Sequence, residues 1–182
     1  MSSGPPQRFA VVPRPPHTFT DDTGREISIE EFDGQLADLV AMYDEFDTSQ
    51  RAQGLPPLGK EAIREWLDSL TCPGAHNLIA RHEGAIVGHT ALIPNEDERH
   101  ELAIFVHQDY QRAGIGEGLL RTMLTDGRNQ GVERVWLVVE HRNRPAINLY
   151  QKLGFETIAE RGCEREMERC LPSGDPSGPL QK

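Results

Sequence analysis

A glycine-rich segment next to the start of a helical pattern carries the strongest chemical signal in this sequence. Gln111-Arg-Ala-Gly114-Ile-Gly116-Glu-Gly118 follows an apolar run at residues 100–107 and leads into a pattern typical of an amphipathic helix. The first backbone N–H groups of a helix have no partner within the helix and carry the positive end of its dipole. Because glycine has no Cβ, a phosphate can approach such a backbone closely. The segment is therefore a candidate anion-binding loop.

Two familiar phosphate-binding patterns do not fit this loop. A Walker loop ends in Gly-Lys followed by Ser or Thr, and the segment lacks that ending. The dinucleotide fingerprint Gly-x-Gly-x-x-Gly also fails, because the glycines here are spaced Gly-x-Gly-x-Gly. Glycines at helix starts are often simple turn residues, so phosphate binding and turn formation both stay open on this segment alone.

The elements that must position this loop alternate between strand and helix periodicity. Together they predict a mixed α/β sheet with enough helices to cover it. The predicted strands are 27–32, 77–82, 85–93, 100–107, 132–140, 155–160 and 164–171. Four helices are predicted: one capped by Asp33, one that includes 63–70, and two that span 116–130 and 143–153.

Proline-rich ends flank this pattern. Residues 1–20 contain five prolines and little periodicity, which predicts a flexible arm, and residues 172–182 predict a flexible tail. Docking of either end on another subunit is the alternative. The composition thus predicts one folded domain over residues 21–171.

Charge and cysteine content exclude several classes of protein. The 182 residues include 29 acidic and 19 basic side chains, for a formal net charge of −10, and such a field repels nucleic acid. No apolar run is long enough for a membrane span, so no membrane association is expected. Three cysteines without metal-ligand spacing argue against disulfides and a zinc site. They favour a reducing, cytoplasmic location.

Two motifs together resemble one family. Gln111-x-x-Gly114-x-Gly116 after an apolar strand resembles the acetyl-CoA signature of the GCN5-related N-acetyltransferase (GNAT) superfamily. The stretch that begins at Asn143 and continues through Asn148-Leu-Tyr150 is similar to that family's second conserved block. The resemblance covers most of the chain. It implies a GNAT-type mixed, mostly antiparallel central sheet, splayed between the strands at 100–107 and 132–140 and flanked by helices.

The resemblance also implies a mode of binding for acetyl-CoA as co-substrate, without a metal. The pantetheine arm is expected to pair with the splayed strand, and the diphosphate to lie on amides of residues 112–117. Arg112, with Arg121 or Arg142 as alternatives, is a candidate partner of the ribose phosphate, although each can equally be a solvated surface arginine. The candidate cofactor-binding residues are Phe105, Val106, Gln111, Arg112, Ala113, Gly114, Ile115, Gly116, Glu117, Asn143 and Asn148.

Acetyl transfer to an amine needs a base that takes a proton from the amine. Strand alternation places Glu101 and Phe105 on one face and Leu102 on the opposite, more apolar face, so Glu101 is expected to look into the cleft. Similarity to the protein-lysine acetyltransferase branch makes Glu101 the candidate general base. A solvated glutamate at the strand end is the alternative interpretation, and His100 and Glu140 are weaker candidate bases.

Tyr150 is the candidate general acid for the departing thiolate. Its position in the helical pattern, on a face shared with Ile147, would let the phenol reach the sulfur of CoA. An aromatic residue that only packs is the alternative. Asn143 is expected to cap this helix and is also a candidate contact of the cofactor.

The expected function is acetyl transfer to a primary amine by direct attack with general-base assistance. An acidic segment at residues 43–57 resembles the corresponding loop of Pat-type protein-lysine acetyltransferases, which favours a protein lysine as acceptor. A small amine is the alternative acceptor. A non-catalytic acyl-CoA-binding module and an interaction protein acting through its proline-rich ends are the alternatives from other classes. The resemblance leaves a homodimer open.

Overall fold

The computed structural model describes residues 12–172 except 48, 50 and 52–54. The described chain forms eight strands around which four α-helices pack. The strands are β1 (His17–Thr20), β2 (Glu26–Glu31), β3 (His76–His82), β4 (Ala85–Pro94), β5 (His100–Val106), β6 (Arg134–Glu140), β7 (Glu156–Arg161) and β8 (Glu164–Cys170). The helices are α1 (Leu36–Asp44), α2 (Lys60–Leu70), α3 (Ile115–Asn129) and α4 (Arg144–Lys152).

The strands form one sheet in the order β1-β2-β3-β4-β5-β6-β8-β7. Neighbouring strands are antiparallel except β5 and β6, which are parallel. The register of that parallel pair contains only His100 opposite Val135 and Glu101 opposite Trp136. Beyond these residues β5 and β6 separate, so the prediction of a mostly antiparallel sheet splayed at this position is confirmed.

Apolar side chains pack on both faces of the sheet. On one face, α3 and α4 cover a cluster that includes Leu102, with Ile104 and Val106 packed against it. On the other face, α1 and α2 cover a second cluster, against which Ala103 and Phe105 pack. The alternation predicted for β5 is therefore present, and each set of its side chains has a helical layer to pack against.

Two boundaries differ from the sequence-based expectations. His17–Thr20 form strand β1, paired with β2, whereas a flexible arm was expected over residues 1–20. Phe19 packs against the core beneath α3, which explains the order of this proline-flanked segment. Helix α1 begins at Leu36, after the Asp33 carboxylate has accepted the N–H of Gln35 at 3.0 Å in a turn. Residues 1–11 and 173–182 lie outside the described residues.

Neither a membrane span nor a metal cluster is found in the part of the chain that the structure describes. Its helices are too short or too polar to cross a bilayer. Its His, Cys, Asp and Glu side chains do not gather in groups of three or more that could hold a metal ion.

Candidate functional site

A cleft of about 570 Å³ opens where β5 and β6 separate. Its walls are β5, the loop that follows it, the first turn of α3, and α4. The structure brings most of the residues predicted from the sequence to this cleft. Those that line it are Phe105, Val106, Gln111, Arg112, Gly114, Gly116, Glu117, Asn143 and Tyr150.

The glycine-rich loop turns sharply into α3. Gly114 precedes the helix in a left-handed conformation, with φ of 83°, which glycine adopts without strain. The neighbouring side chains of Ala113 and Ile115 are buried and anchor the loop, so these two residues offer the cleft only their backbone. The N–H of Gly118 donates to the carbonyl of Gly114 at 3.0 Å. The N–H groups of residues 115–117 therefore precede the first helical hydrogen bond and suit an anion.

The side chain of Gln111 holds the loop against β5. Its Nε2 donates to the carbonyl of Val106 at 3.0 Å. The N–H of His107 donates to Val87 on β4 at 2.9 Å, so the strand alternation directs the backbone groups of Val106 towards the gap beside β6. The Val106 carbonyl, on the cleft side of the strand, is therefore already hydrogen-bonded to Gln111.

The turn between β1 and β2 supports the same loop. The Asp21 carboxylate accepts the N–H of Thr23 and of Arg25, each at 2.9 Å, and pairs with Arg25 Nε at 2.7 Å. Burial pushes the pKa of Asp21 upwards, but the hydrogen bonds from Arg25 and Thr23 outweigh it and hold the pKa well below its ordinary value. The guanidinium of Arg25 lies 4.3 Å above the ring of Tyr110, which lines the cleft.

Two of the three arginines predicted as partners of the ribose phosphate form ion pairs with carboxylates of the protein. Arg112 is exposed and lines the cleft. Arg121 pairs with Glu117 at 2.8 Å, and Lys152 pairs with the same carboxylate at 2.7 Å. The hydrogen bond from Lys152, helped by Arg121, lowers the pKa of Glu117. Arg142 pairs with Glu140, so Arg112 is the cation among the three predicted arginines that faces the cleft without such a carboxylate partner in the described chain.

Helix α4 forms the wall opposite β5. The side-chain oxygen of Asn143 accepts the N–H of Ala146 at 3.3 Å, as expected for a capping residue. Ile147 and Tyr150 are both buried on the core-facing side of this helix, as expected from their spacing, and Tyr150 also lines the cleft. Asn148 is exposed and lies outside the cleft lining.

The two candidate acid–base residues occupy different environments. Tyr150 is 8% exposed, and burial raises the pKa of its phenol to about 12, so the hydroxyl is protonated near neutral pH. Glu101 stands on β5 at the point where the strands part, opposite Trp136, and is not among the residues that line the cleft. Although Glu101 is exposed, surrounding atoms displace enough water to raise the pKa of its carboxyl.

Residues 39–155 match the Acetyltransferase (GNAT) family, which spans well over half of the chain. The chain belongs to the GNAT family. It is an acetyl-CoA-dependent N-acetyltransferase by that membership.

Relatives of this acetyltransferase differ in the acceptors that their names give. An uncharacterized N-acetyltransferase of Mycobacterium tuberculosis is 36% identical over 117 residues, which cover 58% of this chain and 75% of the relative. The L-amino acid N-acyltransferase MnaT of Escherichia coli is 27% identical and covers 52% of this chain and 58% of its own. The ribosomal protein bS18-alanine N-acetyltransferase of the same organism is 42% identical over 65 residues, covering 36% of this chain and 44% of its own.

Solved structures share the fold of this acetyltransferase. The GNAT domain of S. lividans PAT superposes with a TM-score of 0.73 at 16% identity and covers 86% of this chain and 97% of its own. The structure of yncA from Salmonella typhimurium, solved with its cofactor acetyl-CoA, has a TM-score of 0.66 at 17% identity, with coverage of 85% and 99%.

The weaker candidate bases of the acetyltransferase are placed differently from Glu101. His100 lies on the opposite face of β5, where its ring is 6.1 Å from that of His76. Burial, helped by the charge of His76, lowers the pKa of His100. Glu140 accepts a hydrogen bond from Arg142 at the far end of β6, so its charge is matched by a cation.

An aromatic cluster lies beneath α1 and α2 and reaches the cleft through Phe46 and Phe105. Phe105 makes edge contacts with Tyr43 and Trp66, at ring-centroid distances of 5.5 and 5.3 Å. Phe46 also packs against Phe105, at 6.3 Å, and both line the cleft. Gln108 fixes the end of α1 here, because its Nε2 donates to the carbonyl of Glu45 at 2.8 Å.

Several residues at the cleft carried no functional prediction from the sequence. Ala146 lies four residues before Tyr150, and Leu149 lies three residues after Ala146, and this helical spacing is the signal that could have identified them. Ile104 follows from the strand alternation of β5. Asp22 comes from a segment with no motif of its own. Phe46 lies in the acidic segment 43–57, where no single residue was given a role, and only the fold brings both side chains to the site. The lining residues without a predicted role are Asp22, Phe46, Ile104, Tyr110, Pro145, Ala146 and Leu149.

Proposed function

We propose that this enzyme binds acetyl-CoA in the cleft between β5 and β6 and transfers the acetyl group directly to the side-chain amine of a protein lysine. The observation that carries the proposal is the separation of two parallel strands directly beside the unpaired N–H groups that begin α3. This combination offers a strand edge for an amide-bearing arm and a positive helix terminus for a diphosphate.

The residues at the cleft fit acetyl-CoA. Val106 directs its backbone to the gap, and because Gln111 already occupies its carbonyl, its N–H is the group left to pair with the pantetheine arm. A Cβ at Gly116 would lie 3.7 Å from Val106 and 3.8 Å from Leu149, so glycine here keeps space between the two walls. Arg112, exposed at the cleft mouth, would meet a phosphate of the nucleotide.

The chemistry divides between Glu101 and Tyr150. Glu101 lies at the vertex, the last paired position of β5 and β6 before the strands separate, and not in the cleft lining. It would therefore take the proton of the acceptor ammonium through a water molecule. The neutral amine then attacks the thioester carbon, the carbon–sulfur bond breaks, and the nitrogen releases its second proton to solvent as the amide forms. Tyr150, protonated and inside the cleft, gives its proton to the departing thiolate of CoA.

Acidic side chains beside Glu101 support a cationic acceptor. Arg99 is bound by Asp97 at 2.9 Å, by Glu166 at 3.1 Å and by Glu168 at 3.3 Å, so carboxylates outnumber this guanidinium. Strand alternation puts Glu166 and Glu168 on one face of β8, next to β6 and the vertex. Such a surface attracts a lysine-bearing segment more than a neutral one.

A free α-amine is the second candidate acceptor, because relatives are named for an amino acid and for the alanine of a ribosomal protein. Titration calorimetry with acetyl-CoA tests the binding step, and absence of binding would refute the proposal. Mass spectrometry of lysine peptides, alanine-initiated peptides and free amino acids after incubation then separates the acceptors. Acetylation confined to amino acids or peptide α-amines would reject protein lysine. A non-catalytic acyl-CoA-binding module would bind acetyl-CoA and modify none of them.

A further inference from the structure

The turn between β1 and β2 brings a carboxylate to the start of α3. The N–H of Asp22 donates to the carbonyl of Ala113 at 3.0 Å. The carboxylate oxygens of Asp22 lie 3.5 and 3.7 Å from the position that a Cβ on Gly114 would take. Asp22 therefore lines the cleft at the point where the unpaired N–H groups of the helix begin.

The backbone that carries this carboxylate is anchored on both sides. Asp21 fixes the turn through its hydrogen bonds to Thr23 and Arg25. Arg25 in turn donates to the carbonyl of Asp109 at 3.3 Å and lies over the ring of Tyr110. The turn and the loop 107–114 thus form one connected unit, which keeps the charge of Asp22 close to Gly114.

The two carboxylates at the loop differ in their electrostatic compensation. Glu117 is paired with both Arg121 and Lys152. Asp22 has neither an ion pair nor a side-chain hydrogen bond to any of the residues that the structure describes. A helix N-terminus that would receive a diphosphate is therefore bordered by one exposed carboxylate without a counter-charge among the described residues.

We propose that Asp22 determines how tightly this enzyme holds diphosphate-bearing ligands, by repelling acetyl-CoA and CoA alike so that the product CoA exchanges readily. The inference rests on the proposed binding of acetyl-CoA in the cleft. Two unit charges about 6 Å apart in water change a binding constant about threefold, and more where solvent is displaced. The repulsion extends over about 10 Å at 0.1 M salt and about 3 Å at 1 M, so high salt suppresses it.

Calorimetry on the full chain tests this role with a series of charges at one position. Asp22→Asn should bind CoA and acetyl-CoA at least threefold more tightly than the parent at low salt, and Asp22→Lys more tightly still. The gain should shrink at 1 M NaCl. Pantetheine, which lacks the diphosphate, should bind all three proteins equally. Glu133→Gln is the control, because this exposed residue precedes β6 at the end of the strand away from the cleft and its loss changes the net charge equally.

Failure of the role of Asp22 and failure of the proposed function give different results. Unchanged or weaker binding of CoA by Asp22→Asn overturns the inference, since a carboxylate that accepts hydrogen bonds from the ligand or the loop would give that result. An equal gain in Glu133→Gln also overturns it, because the effect would then come from net charge. Absence of CoA binding by the parent protein refutes the proposed function and this inference together.

Discussion

Glu101 and Trp136 form the last backbone pair of the parallel strands β5 and β6 before the two strands separate. Three and four residues further along β5, Ile104 and Phe105 already line the cleft. The cleft thus exists because the hydrogen-bonded pairing of β5 and β6 stops at this residue pair. The carboxylate at its vertex lies on the same face of β5 as Phe105, which packs beneath α1 and α2.

Replacement of the vertex carboxylate should remove catalysis and spare binding. Glu101→Gln is expected to lower the acetylation rate about 10²-fold or more, because a positioned general base contributes about 10²–10⁴-fold. The affinity for acetyl-CoA should not change, since Glu101 lies outside the cleft lining. Release of the CoA thiol measures the rate and calorimetry the affinity. Glu133→Gln serves as the charge-matched control, and an unchanged rate in Glu101→Gln would eliminate this base.

The same carboxyl should shape the pH profile of the enzyme. Partial burial raises the pKa of Glu101 above its ordinary value of 4.5, because desolvation disfavours the charged form. A base works only when deprotonated, so kcat/KM should rise with pH through this elevated pKa. The profile of acetylation between pH 4 and 8 should show that acidic limb in the parent. Persistence of the same limb in the residual activity of Glu101→Gln would assign it to another group.

Loss of the phenol hydroxyl should slow the step in which the thiolate leaves. Tyr150→Phe keeps the ring that packs against Phe155 at a centroid distance of 5.7 Å, so the fold should be preserved. We expect kcat to fall about 10²-fold with little change in acetyl-CoA affinity. Because the pKa of Tyr150 is about 12, its titration should produce no alkaline limb below pH 10 in the parent. Equal kcat values for the two proteins would leave Tyr150 as a packing residue.

The sequence was most informative where local chemistry dictates geometry. Gly114 was identified because a helix start that binds anions needs a backbone without Cβ, and its φ of 83° agrees. The cap formed by Asn143 followed from side-chain chemistry at the first turn of a helix. The strand β6 was recognisable from its apolar run, and in the structure its fully buried residues alternate with half-buried ones.

Features that depend on tertiary contacts were not predictable in this way. Strand β1 has proline-rich neighbours, and it is ordered because Phe19 packs beneath α3. Asp22 reaches the cleft only because β1 pairs with the edge of the sheet. The helical spacing correctly put Ile147 and Tyr150 on one buried face, but only the separation of β5 from β6 lets Tyr150 also reach a cleft.

A side chain at Gly114 should weaken acetyl-CoA binding by more than its effect on stability explains. Gly114→Ala places a Cβ in a left-handed conformation, with φ of 83°, which costs about 1–2 kcal/mol, and the Cβ would also meet Asp22 at 3.5 Å. Gly131→Ala imposes the same kind of strain at φ of 90°, with nothing within 4 Å and far from the loop. Both variants should lose similar stability in urea unfolding, and Gly114→Ala alone should lose acetyl-CoA affinity. Equal affinities would show that the loop backbone does not hold the ligand.

A buried histidine links the aromatic cluster beneath α1 and α2 to the sheet. His89 is fully buried on β4. Its Nε2 lies 2.9 Å from the side-chain oxygen of Asn77, which can only accept, so Nδ1 is left to accept from the hydroxyl of Tyr43 at 2.8 Å. This arrangement requires the neutral ring, and burial lowers the pKa of His89 to about 3.

Protonation of His89 in the unfolded chain should therefore lower the free energy of unfolding in mildly acidic solution. In the unfolded chain His89 takes up a proton below its ordinary pKa of 6.5, whereas the folded protein resists protonation down to about pH 3. The unfolded state binds more protons in that window, so lowering the pH to 5 should cost about 2 kcal/mol of unfolding free energy. Urea unfolding at pH 7.5 and 5.0 measures the loss. His89→Gln should be less stable at pH 7.5 but lose about 2 kcal/mol less between the two pH values, whereas equal losses in both proteins would show that His89 does not stay neutral in the fold.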